Sequence, residues 1–295
     1  CERVELRYDF IRREKKAYPV TVLCSVMKVS RSGFYDYLHS FTNGSDDSPK
    51  EVALKTRTIA IFKEHRGKYG SRRISKQLKA EGYPVGRYKA RRLMRELGLK
   101  AKASKRYKVT TDSRHSFPIA LNLLDRKFNV DKPNTVWTTD ITYVWTLEGW
   151  LYLAIVLDLY SRQIVGWAMN KRMKKQLTLD ALAMAYWRRK PESGLLHHSD
   201  RGSQYACHEY RRQLVQYGMI ASMSRKGDCW DNAPTERFFR SLKSERISDC
   251  RFVTRSSAEI EVLDYISYYN SIRLHSTLGY KTPFEYEKEI FRKAA

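Results

Sequence analysis

The sequence predicts a mixed α/β protein in which two basic, helical blocks precede a larger sheet-and-helix block. Three observations predict it. The second half opens on three strand-like runs joined by short connections. Helical and strand-like segments then alternate, the pattern of a mixed sheet with helices packed on it. Upstream, by contrast, apolar residues recur at helical spacing and no strand run is evident.

Composition bounds the possibilities. A chain of 295 residues, 42% apolar and 13% aromatic, can bury a core in two or three domains of ~100–150 residues. No apolar run approaches the ~18 residues of a membrane span. The best, Leu151–Leu157, ends at Asp158. No secretory leader opens the chain, so no membrane partner is expected. Five cysteines stand at 1, 24, 207, 229 and 250. The number is odd and no CxxC pair occurs, which supports neither a disulfide framework nor a zinc cluster; a reducing cytoplasm is the expected compartment. The chain starts with Cys rather than Met and reads as a piece of a longer product.

The net charge is +24, and within residues 51–110 there are 19 basic residues against 4 acidic. A block so concentrated favours a polyanion, because each Lys or Arg set on a phosphate releases condensed counterions. A membrane surface would attract the same charge, but no amphipathic anchor accompanies it.

Residues 1–40 are expected to be helical. Val20–Met27 forms a short apolar helix, and Ser30 is placed to cap the next, a helix-turn-helix arrangement. A turn-rich linker follows over 41–50. Residues 51–100 form a basic, helix-turn-helix-like DNA-binding domain with helices over Glu51–His65, Ser71–Ala80 and Val85–Leu97. In the third, Ala90, Leu93, Met94 and Leu97 form an apolar stripe, while Tyr88, Arg91, Arg92 and Arg95 share another face. Either that face is simply solvated, or it meets DNA. Arg72 and Arg73 just upstream, and Lys102, Lys105, Arg106 and Lys108 downstream, favour DNA. Residues 101–130 read as a basic linker.

Residues 131–295 change character. Val136–Thr146 alternates as a strand. Trp150–Leu159 is almost continuously apolar, as a central strand should be, and Gln163–Met169 completes an antiparallel meander. A helix over Leu177–Arg189, a strand over Leu195–Ser199, a helix over Gln204–Tyr217 and a strand over Met219–Met223 follow. A polar loop, Ser224–Asn232, leads to a helix over Pro234–Arg246, and a long helix from Ser257 to about Ile272 closes the block.

Three carboxylates are notable. Asp140 lies inside a strand, in Trp137-Thr-Thr-Asp-Ile-Thr-Tyr143, where Asp is depleted and an uncompensated carboxylate is costly. Asp200 ends a short strand, where α/β sheets face their ligand crevice. Glu236 sits in the first turn of a helix, with Arg240 and Lys243 four and seven positions on. Taken singly, Asp140 could be a structural ion pair, Asp200 a turn former before Gly202, and Glu236 a complement to the helix dipole.

Together with Val29–Tyr37, Tyr69–Ile74, Leu93–Leu99, Trp137–Tyr143, Leu157–Trp167, His197–Tyr205, Gly227–Lys243 and Tyr268–Pro283, these residues carry a family resemblance over nearly the whole chain. The sequence resembles the retroviral-integrase-like DDE transposases, and more narrowly the OrfB products of IS-three-family bacterial insertion sequences. The resemblance implies an RNase H-like core with Asp140, Asp200 and Glu236 as catalytic, metal-holding triad, and helix-turn-helix domains that bind the element's terminal inverted repeats. It also implies a homo-oligomer on double-stranded DNA and an upstream-frame OrfA partner or fusion, in a nucleoid-associated cytoplasmic protein. The His/Cys zinc module of retroviral integrases is missing.

Phosphodiester cleavage by such carboxylates needs two hard divalent cations, Mg2+ or Mn2+, ~3.5–4 Å apart; no covalent protein intermediate is needed. Arg240 and Lys243 are expected on DNA. Supporting roles fall to His198 near a phosphate, Ser203 at a helix start and Asn232 as cap of the Glu236 helix. Trp230 is expected to pack under its loop, which reads as mobile, and Asp158 to position Arg162. Tyr265, Tyr268, Tyr269, Asn270, His275 and Tyr280 read as core packing. The alternatives are an RNase H-like nuclease that cuts without joining, which would need no sequence-reading arm, and a non-catalytic DNA-binding regulator, which leaves Asp140 unexplained.

Overall fold

The computed structural model describes residues 4–42, 48–101, 117–226 and 228–294. Half of each expected linker, 43–47 and 102–116, with Lys102, Lys105, Arg106 and Lys108, lies outside the described residues. The chain divides into two compact units, residues 1–60 and 61–295.

The first unit holds α1 (Val4–Glu14), α2 (Val20–Val26), α3 (Arg31–Thr42) and most of α4 (Pro49–Glu64). Ile11, Leu23, Cys24 and Phe34 form its core. Ser30 caps α3 as expected, its Oγ accepting the Gly33 N–H at 3.1 Å.

The second unit begins in the last turn of α4, so the basic helices are packed with the sheet rather than set apart from it. α5 (Ser71–Ala80) and α6 (Arg87–Glu96) bury Ile74, Leu78, Ala90 and Leu93. α6 starts two residues later than its periodicity predicts. Val85 is buried in the turn, and its C=O accepts the Ser75 hydroxyl at 2.7 Å.

The sheet has five strands in the order β3-β2-β1-β4-β5: β1 (Val136–Thr146), β2 (Gly149–Asp158), β3 (Ile164–Asn170), β4 (Leu196–Ser199) and β5 (Ile220–Met223). β1, β2 and β3 form the antiparallel meander, and β4 and β5 add parallel to β1. The middle strand is thus β1, not β2. β2 owes its continuous apolar run to burial on both faces. On one face Leu153 and Ile155 pack with residues of α10 (Ala233–Glu245) and α11 (Arg255–Ser271). On the other, Ala154 and Val156 pack with α7 (Lys175–Arg189).

Two expectations fail here. The helix expected over Gln204–Tyr217 is two pieces, α8 (Ser203–Ala206) and α9 (His208–Gln216), with Cys207 extended between them. Tyr205 and Tyr210 are both fully buried with rings 5.3 Å apart. Five residues apart on one helix they would diverge by ~140°, and the break turns both inward. Nor does α11 close the chain: α12 (Pro283–Ala294) follows. Residues before the sheet also belong to it, since Leu124 is buried in the core.

Asp158 is structural, but not by positioning Arg162. Its carboxylate accepts the Asn134 and Tyr160 N–H groups at 2.7 and 2.8 Å and faces Arg189 at 3.8 Å. Arg162 donates to the Phe128 C=O instead, at 2.9 Å.

Candidate active site

Asp140 stands in the middle strand on the face that α10 covers, two residues beyond Thr138. Thr138 is the parallel partner of His198 in β4. Asp200 is the residue just past β4, the strand beside β1 at ~4.8 Å, and its charge reaches Asp140. Beyond Ser199 the chain turns, and Asp200 Oδ1 accepts the Gly202 N–H at 2.9 Å. A Cβ at Gly202 would come within 3.0 Å of that oxygen, a tight contact that would press on the carboxylate.

Glu236 is brought in by two buried ties between α10 and β1. Thr138 and Thr235 share a hydroxyl hydrogen bond of 2.7 Å. Asn232 Nδ2 donates to the Thr139 C=O at 3.0 Å. Asn232 therefore does not cap α10 with its side chain, as its position in sequence suggested; it rivets the helix start to the strand beside Asp140.

Asp140 feels the charge of the other two carboxylates. Burial pushes the Asp140 carboxyl well above its usual range, and the charges of Asp200 and Glu236 push it further; the Ile141 N–H and Lys243 oppose them. Glu236 is also raised by burial, with Arg240 opposing. Lys243 is buried at 6% exposure, its Nζ 4.8 Å from the Tyr143 ring centroid. Burial lowers its pKa to about 8, against the pull of Asp140. Arg240 is exposed on the same face of α10. Among the described residues, no three His, Cys, Asp or Glu side chains stand close enough together to hold a metal ion as they are.

The supporting residues divide. His198 is fully buried, with its ring nitrogens 2.8 and 3.1 Å from the Ser222 and Ser224 hydroxyls. Burial lowers its pKa to about 4, so it is a neutral packing residue that no phosphate reaches. Ser203 opens a four-residue helix only. Trp230 is 69% exposed, not packed under its loop. The loop is anchored at its far end. The buried Asp231 carboxylate accepts from Asn122 Nδ2 at 2.8 Å, Arg126 Nε at 2.9 Å and the Arg225 N–H at 2.9 Å. Against the upward push of burial, the Arg225 and Arg126 donors hold its pKa below the usual value. No sequence signal marked Asn122 and Arg126 as partners of a residue over a hundred positions away.

Of the expected DNA contacts, Arg72, Tyr88, Arg91, Arg92 and Arg95 are exposed, Arg92 within 3.3 Å of Glu96. Arg73 is turned inward, 5.0 Å from the Tyr69 ring centroid and 3.8 Å from Glu245. His275 is buried against Tyr269, accepts from Arg273 at 3.3 Å and is far from any metal-ligand role.

Family models match both the sheet and the basic helices. Two models described as "Integrase core domain" match residues 130–229 and 236–291, and one described as "HTH-like domain" matches 50–107. The class is that of the DDE transposases and integrases, with an RNase H-like core. Relatives narrow it. The chain is 43% identical over 274 residues to "Insertion element IS600 uncharacterized 31 kDa protein" of Shigella sonnei, covering 92% of this chain and 100% of that one. It is 39% identical over 285 residues to "Transposase InsF for insertion sequence IS3A" of Escherichia coli (strain K12), covering 96% and 99%. Among solved structures, the magnesium complex of the HTLV-2 integrase catalytic core domain is similar at 17% identity and a TM-score of 0.41, over 53% of this chain and 97% of that one. The chain belongs to the IS3 family of insertion-sequence transposases, and its function is DNA transposition.

Proposed function

We propose that Asp140, Asp200 and Glu236 are the catalytic carboxylates of this transposase and together hold divalent cations, Mg2+ or Mn2+, two per site. The observation that carries this reading is that Asp200, just past β4, and Glu236, in the first turn of α10, bring their charges to bear on Asp140 in β1. The donor set fits: hard carboxylate oxygens suit hard cations, and a cation relieves the repulsion that raises Asp140. When bound, a metal pair activates a water or 3′-hydroxyl and neutralises charge at the scissile phosphate.

The protein's own groups have separate tasks. Asn232 and Thr235 hold the first turn of α10, and with it Glu236, against β1. Lys243 sets a positive charge beside Asp140, and Arg240 offers another at the mouth of the site to a phosphate. Tyr88, Arg91, Arg92 and Arg95 on α6, with Arg72 on α5, meet the element's terminal inverted repeats, as the exposed face of a helix-turn-helix does. Two ends must be paired, so the active form is a homo-oligomer on DNA, with an upstream-frame OrfA protein as partner or fusion and the nucleoid as its place of work. The functional division we propose is that of the sequence, 1–40, a linker to 50, 51–100, a basic linker to 130 and the core from 131, while the compact units divide at residue 60. No helix among the described residues is long and apolar enough to cross a membrane.

The test is a joining assay with Mg2+, a labelled element end and target DNA. Joined product supports the reading. Cut but unjoined DNA would mark a nuclease, and bound but intact DNA a regulator.

A further inference from the structure

A second cationic site lies on a different face of α10 from Glu236. There a pocket of about 280 Å3 is walled by Arg73, Arg162, Arg237 and Arg273, with Ser241 and His275 between them, and no carboxylate lines it. Glu245, an acid bonded to Arg273, is already engaged. It takes Arg273 in a fork, Nε to Oε2 at 2.8 Å and NH2 to Oε1 at 2.7 Å, and lies 3.8 Å from Arg73. Asp158 lies near Arg162, but its hydrogen bonds go to Asn134, Tyr160 and Trp137.

Two features point to an absent anion. The NH1 of Arg162 is buried without any hydrogen-bond partner, and buried donors are almost always paired. Arg237 is exposed at the rim, with no hydrogen bond or ion pair recorded among the described residues. The first residues of α10, Ala233 and Pro234, also line the pocket. Ser241 accepts from Arg273 at 3.1 Å, which leaves its hydroxyl hydrogen free to donate.

Guanidinium groups arranged around a volume too small for a large ligand suit a phosphate, which arginine binds in bidentate fashion. We propose that this pocket clamps one backbone phosphate of the DNA strand that also passes the carboxylates. Arg237 adjoins Glu236 in sequence, and the two sites are separated by about one helix width, ~10 Å. The clamp would fix the strand's path across α10. This rests on the reading of the carboxylates as the DNA-cutting site for its choice of strand, not for its choice of ligand.

The test keeps the two apart by working in EDTA, where no cutting occurs. Anisotropy of a labelled element-end duplex is followed against salt for the wild type, Arg237→Gln and the charge control Arg212→Gln, an exposed arginine of α9. Arg237→Gln is expected to bind about tenfold more weakly, with a salt slope lower by about one; the control stays within about twofold of the wild type. Inorganic phosphate alone, at fixed ionic strength, should raise the melting temperature of the wild type and not of Arg237→Gln. Wild-type affinity in Arg237→Gln, or an equal loss in the control, overturns the clamp. Phosphate protection of the wild type with unchanged DNA affinity in Arg237→Gln assigns the pocket to free phosphate and overturns the DNA assignment. A failure of the carboxylate reading would show instead as joining that survives Asp140→Asn, which this assay does not touch.

Discussion

The hydroxyl pair that ties α10 to β1 permits a sharp test of how Glu236 is held. Thr235→Val keeps the side-chain shape and removes one hydroxyl. It leaves the Thr138 hydroxyl, 0% exposed and 2.7 Å from that of Thr235, without this hydrogen bond. A buried polar group so orphaned costs about 1–3 kcal/mol. At about 2 kcal/mol, a unit of this size should melt about 4–8 °C lower. Adding Thr138→Val removes the second hydroxyl as well. Replacing both partners by apolar groups of like shape is nearly neutral, so the double variant should regain most of the lost stability. Activity should not follow. With the tie gone, the helix start is free to shift, and a misplacement of about 1 Å at a reacting centre can cost ~10²-fold. Thermal unfolding and strand-transfer rates of the two singles and the double form a closed cycle. If the double variant is as unstable as the sum of the singles, or if both variants join ends at wild-type rates, the tie does not position Glu236.

Three further outcomes are expected. His275 is driven down to about 2 by burial and by Arg273, Arg73 and Arg162. Its depressed folded pKa means that only the unfolded chain takes up its proton, so its contribution to stability is lost as pH falls below ~6.5, by about 1.4 kcal/mol per pH unit. His197 and His198, lowered to about 3 and 4, act the same way, while the raised carboxyls of Asp140, Asp158 and Glu236 act oppositely. The difference in stability slope between wild type and His275→Gln over pH 4.5–6 isolates one proton, and equal slopes would contradict the assignment. Gly166→Ala should be severe, because a Cβ there would lie 2.3 Å from the Ala181 C=O and 2.8 Å from the Ala185 backbone N of α7. Backbone cannot yield as a side chain tip does, so a loss of about 3 kcal/mol is expected by denaturant titration; an unchanged midpoint would be at odds with the packing of α7 on β3. EDTA should stop joining and leave duplex binding in place, measured by anisotropy and gel on the same samples.

Much of this molecule could be read before its structure. The strands were legible because Val136–Thr146 alternates and the β2 run is apolar throughout, patterns imposed by one- and two-sided burial. The carboxylates stood out because an acid inside a strand is costly. What could not be read is what depends on contacts between distant residues. Asn232 looks like a cap, since its type and place fit one, yet it bonds a strand 93 residues upstream. His198 looks available beside Asp200 until Ser222 of β5 and Ser224 just past it bond its ring. Arg73 looks like its neighbour Arg72, but helix phase turns it toward Glu245. The break at Cys207 follows from two tyrosines that must share one core, which periodicity over a single helix does not reveal.

The most direct measurement is strand transfer by Asp140→Asn in Mg2+, with duplex binding measured in parallel. Asparagine keeps the size of the side chain and removes the charge that the other two carboxylates press upon. The account predicts unaltered binding and joining reduced by several orders of magnitude. Joining at close to the wild-type rate would mean that the chemistry of this transposase is done elsewhere.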